Sequence, residues 1–115
     1  QTGIQLTYRC LALSNSSTLN GGGGGGSSIG IYTASSSNRI EGNICTSNAY
    51  GILVTGNNNI IVRNTCSGNT TNWQLGSNNV FGPIVDRRSP GSGSVTGNSA
   101  ASSLGTTDAN ANFSY

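Results

Sequence analysis

The stretch GIYTASSSNRIEGNICTSN, residues 30–48, aligns without a gap on GILVTGNNNIIVRNTCSGN, residues 51–69. Gly30 falls on Gly51, Ile31 on Ile52, Asn38 on Asn59, Ile40 on Ile61, Asn43 on Asn64, Cys45 on Cys66 and Asn48 on Asn69, all at an interval of 21 residues. So many matches at one interval, in chemically distinct residue types, are the signature of a repeat architecture rather than of biased composition. The register continues forward. Trp73 takes the place of Ile52, and after one deletion Asn79 and Phe81 follow Asn59 and Ile61. Backward, Asn15 and Asn20 precede Asn43 and Asn48 by one repeat plus an insertion that holds the run Gly21 to Gly26. Val95-Thr96-Gly97-Asn98 echoes Ile40-Glu41-Gly42-Asn43 and suggests a last, shortened coil.

Within each unit the apolar residues alternate, as in Ile52 and Val54, and runs of three to five residues are divided by Asn or Gly. Alternation at period two means short strands with one face inward. Gly and Asn interrupt every helical window. Stacking the units places equivalent residues above one another at about 4.8 Å, the spacing of paired strands. Ile4, Ile31, Ile52 and Trp73 then form one interior ladder, and Ala12, Ile40, Ile61 and Phe81 a second. Asn15, Asn43 and Asn64 stack at one corner; Asn20, Asn48 and Asn69 stack at another. Asparagine suits a corner because it tolerates the left-handed backbone and its amide bonds nearby backbone groups.

Composition bounds the rest. The 115 residues make one domain, with residues 21–28 as a Gly-rich turn insertion and 99–115 as a C-terminal tail or cap. Charged residues are 7% of the chain, far below the roughly 25% of ordinary domains. A net charge of +2 on scattered arginines is no nucleic-acid footprint. No apolar run reaches the length of a membrane span. A chain that opens at Gln1 with no signal sequence fits a processed secreted protein or a piece of a longer parent. Three Asn-x-Ser/Thr triplets, at Asn15, Asn69 and Asn112, are what so Asn- and Ser-rich a chain yields by chance.

The unit, together with Asn38-Arg39-Ile40-Glu41-Gly42-Asn43, Ile61 through Asn69 and the closing Asp108 through Tyr115, resembles the repeat of pectate-lyase-like secreted bacterial proteins. That resemblance implies an all-β fold, a right-handed parallel β-helix of about four to five coils. It says little about activity, because the fold carries lyases, hydrolases, adhesins and tailspikes alike.

The chemistry is sparse. Lyases of this fold cluster carboxylates around calcium, and glycosidases need paired acids. Only Glu41, Asp86 and Asp108 are present, and none stacks on another acid; Asp86 reads as part of a solvated turn beside Arg87 and Arg88. No catalytic residue, cofactor or metal site is expected: three cysteines without histidine make no usual zinc set. Cys45 and Cys66 fall on adjacent coils, as a disulfide or as a buried thiol stack. Cys10 maps onto the Asn38 position and has no partner in the chain. The glycine run lacks the Lys-Ser/Thr of a phosphate loop. Trp73 with Tyr50 or Tyr32 is a candidate sugar platform, though core or cap suits Trp73 better.

A stack of coils has two unpaired edges that invite association. The expected function is therefore a non-catalytic, extracellular or cell-surface structural module that assembles end to end into a filament. Its partners would be copies of itself or upstream coils of a longer chain, with Cys10, Gly21 to Gly26 and Tyr115 as interface candidates. The alternative is the C-terminal part of a larger carbohydrate-active or glycan-binding β-helix protein.

Overall fold

The computed structural model describes residues 1–21, 27–88 and 106–115. These form thirteen strands and, among the described residues, no helix: β1 (Thr2–Leu6), β2 (Leu11–Leu13), β3 (Ser16–Thr18), β4 (Ile29–Thr33), β5 (Arg39–Glu41), β6 (Ile44–Thr46), β7 (Tyr50–Val54), β8 (Ile60–Val62), β9 (Thr65–Ser67), β10 (Thr71–Leu75), β11 (Val80–Phe81), β12 (Ile84–Asp86) and β13 (Asn112–Ser114). Every strand pairing is parallel. Sheet A runs β1-β4-β7-β10, sheet B runs β2-β5-β8-β11, and sheet C runs β3-β6-β9-β13-β12. The chain thus visits A, B and C in turn, and each new strand up to β11 pairs with the strand of the previous visit to its sheet, whereas β12 pairs with β13.

Sequence dictates the circuit through alternation. β4 and β7 bury the same positions along the strand, and the inward residues Ile31, Ile52 and Val54 are fully buried. Ile31 pairs in register with Ile4 and Ile52, and Ile52 with Trp73. Ile40 pairs with Ala12 and Ile61, and Ile61 with Phe81. Ile31, Ile40, Ile52 and Ile61 have no exposed surface, and burying each stabilises the fold by about 1.5–3 kcal/mol. The ladders weaken at their last rung. Trp73 is only partly buried, and Phe81 is 49% exposed, because no further strand of sheets A or B covers it. Phe81 therefore keeps the register of an interior residue without being core.

Three corners separate the sheets, and all use one device. Ahead of every corner residue except Asn112 stands a residue of positive φ: Arg9, Ser37, Asn58 and Asn78 at the first; Ser14, Gly42 and Arg63 at the second; Leu19, Ser47 and Gly68 at the third. The left-handed turn is thus made by the residue preceding the asparagine, not by the asparagine as the sequence suggested. The asparagine itself supplies an amide. Asn43 donates its backbone N–H and its Nδ2 to Oδ1 of Asn64, at 2.9 and 3.0 Å, and Oδ1 of Asn43 accepts the same pair from Asn15. Asn20, Asn48 and Asn69 repeat the pattern, as does a third ladder of Asn38, Asn59 and Asn79. Asn38, Asn43, Asn59 and Asn64 are buried, and no buried side-chain polar atom among the described residues lacks a partner. Each such bond contributes about 1 kcal/mol net, and leaving one unmade costs more.

Sheet C departs from this regularity. β13 lies between β9 and β12, so the C-terminal strand, not the next strand in sequence, completes the fourth circuit begun by β10 and β11. The segment expected as a tail or cap is in this part an internal strand. Pro83 and Ile84 stand where the fourth circuit would need a corner asparagine; Asn112 supplies it, fully buried. The expected shortened coil at Val95 to Asn98, and the interface candidates within 22–26, lie outside the described residues.

Candidate functional site: the two ends of the sheets

At the N-terminal end the edges of β1, β2 and β3 have no strand neighbour among the described residues. The three belong to one circuit, so this end is level. Ile44 N–H donates to Asn15 O and Leu19 N–H to Thr46 O, so alternate residues 15, 17 and 19 bond toward β6. The N–H groups of Ser16 and Thr18 consequently face the open side. By the same rule Cys10, Ala12 and Ser14 bond toward β5, and Leu11 and Leu13 point their backbone groups outward. Asn15 and Asn20 use their N–H groups on Asn43 and Asn48, and no donor among the described residues reaches their own Oδ1 atoms. Tyr8, Leu11, Leu13 and Leu19 are all more than half exposed at this end.

The other end is stepped. β10 and β11 close sheets A and B at the fourth circuit, but β12 lies one spacing further out in sheet C, beyond β13. Asp86 sits here on the rung of Ser17, Cys45, Cys66 and Ser114. It ends a strand instead of lying in the solvated turn expected from sequence. Arg88 Nε donates to both carboxylate oxygens at 2.9 Å, and its Nη2 also bonds Oδ2. The Arg88 guanidinium holds the Asp86 carboxyl at about 2, below the usual carboxylate range. Trp73 Nε1 donates to Ser114 Oγ at 2.8 Å, and Asn72 Nδ2 donates to the same atom at 3.0 Å. A cavity of about 300 Å³ opens beside them, lined by Trp73, Asn72, Asp86, Arg88 and Ser114 among others. Tyr50 and Tyr32 do not line it.

The remaining acids are also engaged. Glu41, whose side chain is 12% exposed, is bonded by the guanidinium groups of both Arg39 and Arg63. Asp108 Oδ1 accepts the Asn110 N–H at 2.7 Å and closes a turn. A cleft of about 540 Å³ lies between this turn and Arg63, Thr65 and Phe113.

Cys45 and Cys66 are register partners, both fully buried and both free thiols. A hydrogen bond between them, together with burial, pushes the Cys66 thiol up, so it stays protonated and unreactive. Cys10 takes the Asn38 corner: its N–H donates to Asn38 Oδ1 at 2.8 Å, and its Sγ lies 3.6 Å from Thr7 Oγ1. Tyr115 is exposed, and its N–H donates to Cys66 O. Sequence reasoning passed over Asn112 as a corner residue. The signal was present, since Asn112-Phe113-Ser114 follows the Asn-x-small pattern of Asn15-Ser16-Ser17, Asn43-Ile44-Cys45 and Asn64-Thr65-Cys66.

No family model, curated protein or solved structure matches the chain.

Proposed function

We propose that the chain is a right-handed parallel β-helix, akin to pectate-lyase-like proteins in fold, that serves as a non-catalytic extracellular structural module and stacks end to end. The observation that carries this reading is the level N-terminal end. Among the described residues three parallel strand edges have no partner there, with outward backbone groups on Leu11, Leu13, Ser16 and Thr18, and two corner amide oxygens accept from no described donor. Such an edge is a template for further strands. The state of the acids supports the non-catalytic part. Glu41, Asp86 and Asp108 are the chain's only acidic side chains, and each is committed to arginine or to a turn.

The test is light scattering on the full chain over a concentration series, beside Leu13→Pro/Ser16→Pro. The prolines remove N–H groups that face away from β5 and β6, so the fold loses no internal bond. Mass that rises with concentration in the parent and stays at one chain in the variant supports stacking. An equal rise in both contradicts it, as does a mass of one chain that persists when residues 106–115 are removed.

A second reading, glycan binding, is favoured by the cavity beside Trp73, where an aromatic ring adjoins a carboxylate, a guanidinium and an amide. Loss of glycan-array binding on Trp73→Ala would distinguish it.

A further inference from the structure

Stacking head to tail would require β1, β2 and β3 of a second copy to pair with the outer edges of sheets A, B and C at a single level. Sheets A and B offer that level directly beyond β10 and β11. In sheet C the same level is already filled, by β12, because β13 has taken the place beneath it. The third strand of an incoming copy therefore meets β12 instead of an open edge.

We propose that β13 is a built-in brake on self-assembly: seated between β9 and β12 it holds the C-terminal end stepped and closed to a second copy, and its withdrawal lets β12 settle on β9 and present a level face. This rests on the stacking reading above and names the regulation of that same surface. The partner is a second copy of this chain, for a reason internal to the repeat. β10 pairs with β7 as β7 pairs with β4, and β1 has the strand length and direction to pair next. The last rungs also match by size, since the large side chains Trp73 and Phe81 would lie over Ile4 and the small Ala12 of the neighbour.

The closed state is held by specific bonds. Oδ1 of Asn112 accepts the N–H and Nδ2 of Asn64 at 3.0 and 3.2 Å. Asn112 Nδ2 donates to Ile61 O and Gly82 O, and Asn112 N–H to Pro83 O. Were β12 to pair with β9, Ile84 would stand over Asn64 and offer no acceptor. The seated strand is thus favoured in the isolated chain, and stacking must draw it out by mass action. Gly82 is the gate for the segment. A Cβ there would lie 1.9 Å from the carbonyl oxygen of Asn110, so only glycine lets residues 110 and 111 pass.

The experiment compares the full chain with full-length Gly82→Val, which bars the strand; Asn64 then loses its Asn112 acceptor, while the asparagine bonds between the first three circuits are kept. Hydrogen exchange at Phe113 and Tyr115 reports whether the strand is seated, and light scattering with electron microscopy reports mass. The expected result is fast exchange and a several-fold higher mean mass for Gly82→Val at equal concentration. A second variant guards against misfolding. A chain ended after residue 105 should also stack, and added peptide 106–115 should return it to single chains. Equal stacking by the parent and Gly82→Val overturns the brake and leaves the stacking reading standing. If neither stacks although exchange shows the strand released, the stacking reading itself falls, and the brake with it.

Discussion

Asn112 lies 48 residues beyond Asn64 in the chain, yet its side-chain oxygen takes both N–H donors that Asn64 directs along the corner. The fourth circuit begins with its own strands and is completed by a strand from the end of the chain. Removing that acceptor leaves the fully buried backbone N–H of Asn64 unpaired, while its Nδ2 keeps the carbonyl oxygens of Ile40 and Val62. Asn112→Ala is therefore expected to destabilise the fold by about 2–3 kcal/mol, toward the upper end of the cost of an unmet buried donor. Asn20→Ala, at a half-buried corner of the open end, should cost less. Urea denaturation of the two variants checks the order.

The interior ladders predict a gradient along the stack. Ile31 and Ile52 are fully buried with partners on both sides, and truncation to Ala should cost about 2–5 kcal/mol at either position. Phe81, half exposed at the last rung, should lose distinctly less on truncation despite its larger ring. Thermal denaturation that ranks Phe81→Ala equal to Ile52→Ala would mean that the last circuit is covered in solution.

Leu19 adopts φ 51° immediately before the corner residue Asn20, where the third circuit has Gly68. A left-handed conformation costs a branched side chain roughly 1–2 kcal/mol, part of which glycine loses again through its own flexibility. Leu19→Gly should stabilise the chain by up to about 1 kcal/mol while removing an exposed apolar side chain. A matched pair of melting curves decides the sign.

Thiol chemistry should divide the cysteines. Cys45 and Cys66 are buried and hydrogen-bonded to each other, and Cys10 is only half-buried. Alkylation of the native chain at mildly alkaline pH is expected to modify Cys10 alone, with the other two reacting only after unfolding. Mass spectrometry of the digested product reads the pattern directly.

Asp86 gives a pH prediction. Its carboxyl is held at about 2 by Arg88, so the favourable pairing is fully present above the ordinary carboxylate range and is lost as pH falls through about 2. The pair is solvent-exposed, and its weight in overall stability is small. An NMR titration of Asp86 in the parent should have its midpoint near 2, and in Arg88→Gln near the usual value of about 3.9.

Much of this arrangement was legible from residue spacing, and the reason is physical. Parallel stacking puts like on like, so Ile31 over Ile52 and Asn43 over Asn64 appear in the sequence as one fixed interval. The position of β13 was not legible in that way, because a strand that returns from the end of the chain keeps no interval with its neighbours. Its Asn-x-small pattern was the surviving trace. The left-handed residues were hidden too. Ser, Arg, Leu, Asn and Gly all occupy the site before a corner, so backbone geometry is repeated there without a repeated residue type. At the ends, sequence put Trp73 and Phe81 on the interior ladders, with Trp73 as core or cap, and only the count of strands in each sheet reveals how far the last rung is uncovered.

The most direct test of the account is electron cryo-microscopy of concentrated full-length Gly82→Val. It should form filaments with an axial repeat of about 19 Å, four strand spacings of about 4.8 Å, and with density for three parallel sheets continuous across the junction. Dispersed single particles, or filaments joined through the sides of the sheets with β1, β2 and β3 left free, would contradict it.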